Sequence, residues 1–105
     1  MSYQVKLKAL PVITVTASAE KITQNKIKAT LIEIYVPSTN TGPVYVGDSS
    51  VNSSNNIPLT STKVTYTPSE ITSSEKGDYF DLSDFYIVGT AADSVRVQYV
   101  AVGES

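Results

Sequence analysis

The side chains best able to do chemistry are three carboxylates set three apart, Asp78, Asp81 and Asp84. Calcium takes several oxygen ligands from a flexible loop, so such a group is the natural metal candidate. The spacing is not that of an EF-hand, and on an extended strand residues three apart point to opposite faces. All three converge only if the backbone turns there. Edge-strand charges that deter unwanted pairing are the simpler expectation, and no metal site is assigned. The sequence holds no His and no Cys. Ser-His-Asp triads, cysteine nucleophiles, disulfides and the common zinc ligands are thereby excluded. A two-carboxylate glycosidase needs a cleft around a sugar chain, which a domain of about 13 Å radius of gyration rarely encloses. Gly42 and Gly47 lack phosphate-loop spacing and read as turn glycines. The expectation is a binding or structural module, not an enzyme, with no cofactor.

The elements that would position these groups are strands. Val, Ile, Thr and Tyr recur in short alternating runs separated by Ser, Asn, Gly, Asp and Pro, and no stretch supports a helix. At 105 residues the chain makes one domain, expected as a β-sandwich of jelly-roll or other Greek-key connection with about eight strands. Net charge is −2, unevenly spread: +3 over residues 1–36 and −5 over the remainder. Basic residues are too scattered for a nucleic-acid footprint, and no apolar run approaches the roughly 18 residues that span a bilayer. The N-terminus alternates polar with apolar and lacks a signal-peptide core, so synthesis in the cytoplasm is expected.

In the first run, Tyr3, Val5, Leu7 and Ala9 share one face, with Gln4, Lys6 and Lys8 on the other. Pro11 interrupts the ladder, which makes residues 1–10 an N-terminal strand or detachable arm on a sandwich of residues 11–105. Ser18 to Asn25 reads as a polar turn region. Lys26 to Val36 is internally inconsistent: Ile27, Ala29 and Leu31 fall together, then Ile32, Ile34 and Val36. No strict two-residue period serves both halves, so the pattern predicts a β-bulge or a change of partner between Thr30 and Ile32, or else a strand buried on both faces. Further strands are expected at 44–46, 63–67, 79–82, 85–89 and 94–102. Tyr35, Tyr45 and Tyr79 alternate opposite apolar neighbours and are expected at least partly outward.

The succession Ile32-Glu33-Ile34-Tyr35-Val36, Asn40-Thr41-Gly42, VYVGDSSV (44–51), Ile57-Pro58-Leu59 and DLSDFYIVGTAADSVRVQYV (81–100) resembles small tailed-phage virion proteins. The likeness covers about residues 27–102. Asn56 stands where Gly is expected before Ile57-Pro58-Leu59; Asn also tolerates the left-handed region, which keeps the same turn open. The resemblance implies a capsid decoration or cement protein on the outer surface of the virion. Such proteins are often trimeric, and the implied partner is the major capsid protein, with neither nucleic acid nor membrane. Under this reading Tyr3, Val5, Lys6, Leu7 and Lys8 form a capsid-binding arm. The two-faced strands place Ile32, Ile34, Val36, Val100 and Val102 at an oligomer interface, and Asn40, Tyr45 and Asp48 make surface-loop contacts. The alternative is a head- or tail-fibre module that binds host-surface glycans or a receptor through the 38–56 loops.

Overall fold

In the computed structural model, residues 7–67 and 79–101 are described. They form an all-β sandwich of two antiparallel sheets, with one 3₁₀ turn. The strands are β1 (Leu7–Ala9), β2 (Ile13–Thr14), β3 (Glu20–Lys21), β4 (Lys28–Val36), β5 (Tyr45–Gly47), β6 (Thr62–Tyr66), β7 (Phe80–Asp81), β8 (Tyr86–Val88) and β9 (Ser94–Ala101). The larger sheet runs β1-β9-β4-β6, with β2 also on β9 and β7 also on β4; the smaller runs β3-β8-β5. Both β1 and β2 lie against one side of β9, and β6 and β7 against one side of β4. Each pair is thus one interrupted strand. Beyond β5, Leu59 bridges Val44 as the remnant of a fourth strand in the smaller sheet. Counted so, the order is that of an eight-stranded jelly roll.

Two bulges make this order compatible with the apolar pattern. On β4, Ala29 pairs with Ala101 but Leu31 pairs with Val100, so Thr30 is the extra residue. The insertion reverses the alternation, which lets Ala29 and the Ile32, Ile34, Val36 series all reach the core. The strand also changes partner here, from β7 at Lys28–Ala29 to β6 at Ile32–Val36. The second bulge lies in the interrupted first strand. Ala9 pairs with Gln98 and Ile13 with Val95, so Pro11 and Val12 together face Arg96. Pro11 has no N–H to donate, and a bulge is where the ladder tolerates that lack. Leu10 and Ile13, of opposite parity, can then both pack on the core.

The core lies between the sheets. Ile32, Ile34 and Val36 of β4 and Val95, Val97 and Tyr99 of β9 meet Val15, Val44, Leu82, Phe85 and Ile87. Fully burying one such Ile, Leu or Val stabilises by roughly 1.5–3 kcal/mol relative to exposure. Phe80 and Phe85 close one side of the core edge to face, with ring centroids 5.1 Å apart.

Two expectations need correction. Within the N-terminal strand or arm expected over residues 1–10, residues 7–9 hydrogen-bond along β9 as the edge strand of the protein's own sheet. Their parity is reversed, since Leu7 pairs with outward-facing Val100, whereas Lys8 pairs with buried Tyr99. The region 18–25 is not turn alone, because Glu20–Lys21 pair with β8 and anchor the buried Ile22.

Candidate functional site

The motif residues Asn40-Thr41-Gly42 and Asp93-Ser94 meet at one end of the sandwich. After β4, Pro37 turns the chain, and the loop runs back against the start of β9. Asp93 is buried, and its carboxylate accepts the Thr41 N–H at 3.0 Å, the Thr41 hydroxyl at 3.0 Å and the Gly42 N–H at 3.1 Å. Asn40 Nδ2 donates to the Ser94 carbonyl at 2.8 Å, and the Ser94 N–H returns to Asn40 Oδ1 at 3.0 Å. The Thr41 N–H, then those of Gly42 and the Thr41 hydroxyl, hold the Asp93 carboxyl below the ordinary carboxylate range, against the opposing effect of burial. The arrangement is a structural clasp. Asn40, expected as a surface contact, is half-buried and engages its side-chain amide with Ser94.

The 48–56 loop is likewise held by its own side chains. Asp48 Oδ1 accepts from the Ser50 hydroxyl at 2.6 Å and the Ser50 N–H at 2.9 Å, and these bonds hold its carboxyl low. Asn52 Oδ1 accepts the N–H groups of Ser54 and Asn55, and Val51 is buried beneath the loop. Asn56 does not adopt the left-handed conformation that its place suggested. Among the described residues only Ser61 and Ala92 are non-glycines with positive φ. Asn56 instead bonds the Asn52 N–H at 3.2 Å and the Val46 carbonyl at 3.3 Å through its side chain.

A cleft of about 400 Å³ opens between β5 and β6, with Val46, Tyr66 and Phe85 on its walls and Asp48 and Asp84 at its rim. A glycosidase acid there would need a carboxyl pushed upward. Of the acids at this rim, Asp48 is displaced downward. Asp81 is the N-cap of the 3₁₀ turn Leu82–Asp84, accepting from the Ser83 hydroxyl at 2.7 Å and the Ser83 N–H at 2.9 Å. Asp84 is exposed, and Asp78 lies outside the described residues. Among the described residues no three metal-ligating side chains come together.

The outer face of the larger sheet is different in kind. Cross-strand pairing lays it out in rows: Leu7-Val100-Leu31, then Ala9-Gln98-Glu33-Thr65, then Arg96-Tyr35-Lys63 with Val12 at its end. Leu7 is 49% exposed, Val12 60% and Tyr35 44%. Glu33 is engaged within the face, by Gln98 Nε2 at 3.0 Å and by Lys63 Nζ at 3.7 Å. A shallow depression of about 440 Å³ lies over this face, bordered by Ala9, Val12, Tyr35, Lys63, Arg96 and Gln98. Exposed apolar side chains grouped with Arg and Tyr are the composition of a protein-contact surface.

The structure therefore divides the expected site residues. Leu7 and Val100 come together on the outer face, whereas Lys8, exposed on β1, pairs with Tyr99 and points to the opposite side of the sheet. Ile32, Ile34 and Val36 are fully buried in the protein's own core and leave nothing for an oligomer interface. Their alternation signalled burial, and the core itself supplies it. Tyr45 is half-buried on β5, and Asp48 caps its own turn. Tyr3, Val5, Lys6 and Val102 lie outside the described residues. Val12, Tyr35 and Arg96 were not grouped by the sequence reading. The signal for them was Pro11, whose bulge brings Val12 beside Arg96. Compared with known proteins, the chain matches no family model, no curated protein and no solved structure.

Proposed function

We propose that this chain is a structural protein of a tailed-phage virion, a decoration subunit that binds across neighbouring major capsid protein subunits and stabilises the shell from outside. The observation that carries the reading is the outer face of the larger sheet, where Leu7, Val12 and Tyr35 stay exposed on a surface the fold itself does not cover. The motif resemblance supplies the particle. The stretches Asn40-Thr41-Gly42 and Thr90 to Asp93, on which that resemblance rests, build a clasp that stiffens the module.

The size of the face sets the mode of binding. Four strands about 4.8 Å apart and five residues long cover on the order of 250 Å², against the roughly 800 Å² per partner of a stable complex. One copy on one capsid subunit holds weakly. Several contacts per decorating unit, on an assembled lattice, hold through effective concentration. A homotrimer provides such multiplicity, built from surfaces other than Ile32, Ile34 and Val36.

The test is to add the purified protein to assembled shells that lack it and to the free capsid protein. Saturable binding to shells alone, with a raised temperature of shell rupture, is the expected result. Equal indifference to both would refute the reading.

A further inference from the structure

We infer that the row Val12-Arg96-Tyr35 is a docking site for an extended, acidic segment of a partner protein, with the Arg96 guanidinium receiving a partner carboxylate. The inference rests on the reading above for where the partner sits, and it adds what the partner presents.

Arg96 lies on the outer face of β9, exposed, and makes no hydrogen bond or ion pair among the described residues. The neighbouring acid cannot serve it, because Glu33 is already held by Gln98 and Lys63. Among the described residues of these rows, Arg96 and Lys63 against Glu33 give +1, on a chain whose net charge is −2. The local field therefore favours an anion, opposite in sign to the whole molecule.

The geometry suits a carboxylate on a segment with apolar neighbours. A guanidinium presents parallel N–H groups that match a carboxylate in two-point contact. Arg96 is flanked across the strands by Tyr35 on one side and by the Pro11–Val12 bulge on the other. Exposed Tyr35 and Val12 can cover the apolar side chains beside that carboxylate and shield the charge pair from water. The backbone that carries the site is held in the sheet, with β1 and β2 along one edge of β9 and β4 along the other, so the ordering that binding must supply is confined to side chains. The depression of about 440 Å³ is open along the sheet, which suits a length of chain better than an enclosed small molecule.

The test is a nuclear magnetic resonance titration of the full chain with two capped peptides, acetyl-Val-Asp-Val-Asp-Val-amide and its counterpart with Asn for Asp. The acidic peptide is expected to shift the amides of Tyr35, Arg96 and Gln98, and to bind about fivefold more tightly than the Asn peptide. Arg96→Gln is expected to abolish that preference with the melting temperature unchanged. Equal binding of both peptides, shifts centred on the 48–56 loop or the β5–β6 cleft, or no shift with either peptide would overturn the inference. So would inorganic phosphate reproducing the same shifts at the same concentration. Shell binding separates the two readings. If wild type binds shells and Arg96→Gln binds them equally well, the docking site falls and the virion role stands. If the peptide preference holds but shells are not bound, the virion role falls and the docking site stands.

Discussion

The carboxylate of Asp93 holds the main chain of Thr41 across a separation of 52 residues, accepting its N–H at 3.0 Å. Because the same carboxylate also takes the Gly42 N–H and the Thr41 hydroxyl, it satisfies three donors at once. Hydrogen bonds to the charged form lower its pKa in the folded protein below the value of about 3.9 expected for an unfolded chain. Below the unfolded value the unfolded state binds the extra proton first, so this stabilisation is full above that value and is lost as pH falls through the folded one. Asp48 and Asp81 shift in the same direction and add to the acid sensitivity. Urea midpoints measured from pH 6 to pH 2 should fall steadily for wild type. Asp93→Asn should start lower at pH 6 and show a shallower fall, and parallel curves would refute the role of Asp93.

Gly89 stands where the clasp loop and β2 approach the smaller sheet. A Cβ there would meet the Pro43 carbonyl oxygen and the Val15 Cγ1, each at 2.9 Å. Both obstacles are fixed, one by the backbone and the other by the core. Gly89→Ala should therefore destabilise by about 1–3 kcal/mol, as overpacking does. At Gly42 the corresponding obstacle at 2.6 Å is the Thr90 hydroxyl, on an exposed side chain that can change rotamer. Gly42→Ala should cost clearly less, which chemical denaturation of the two variants would resolve.

The bulge at Thr30 was legible in the sequence because the clash of parity between Ala29 and Ile32 admits few solutions. The structure uses two of them at one place, an extra residue and a change of partner. What periodicity did not reveal was which face of β1 turns inward. Alternation distinguishes two faces without naming the buried one, and an edge strand of three residues has too few contacts to decide by composition. The strand β3 was hidden for a related reason: it is two residues long, and only the following Ile22 is buried. The clasp residues stood out as a motif, but their partners lie some fifty positions away. Spacing along the chain carries no sign of a hydrogen bond across it.

Removing Thr30 tests that account directly. Thr30 is exposed, so Thr30→Ala should change stability by no more than about 0.5 kcal/mol. Deleting the residue restores a strict two-residue period and forces either Ala29 or the Ile32 series out of the core. The deletion variant should lose its cooperative thermal transition, followed by far-ultraviolet circular dichroism. A cooperative transition within a few degrees of wild type would show that the bulge is dispensable.

The separation of core from contact surface is open to a paired measurement. Ile34 is fully buried between the sheets, and Ile34→Ala should cost about 2–5 kcal/mol through lost burial and the cavity left behind. Val12 is 60% exposed and Tyr35 is 44% exposed, so Val12→Ser and Tyr35→Ser should each change stability by less than about 1 kcal/mol. Shell binding should rank the variants the other way. Ile34→Ala, assayed below its melting temperature, should bind like wild type, because its side chain never reaches the surface. The two surface variants should bind more weakly while remaining folded. A loss of binding confined to folded Ile34→Ala would restore that residue to an interface and remove the outer face from consideration.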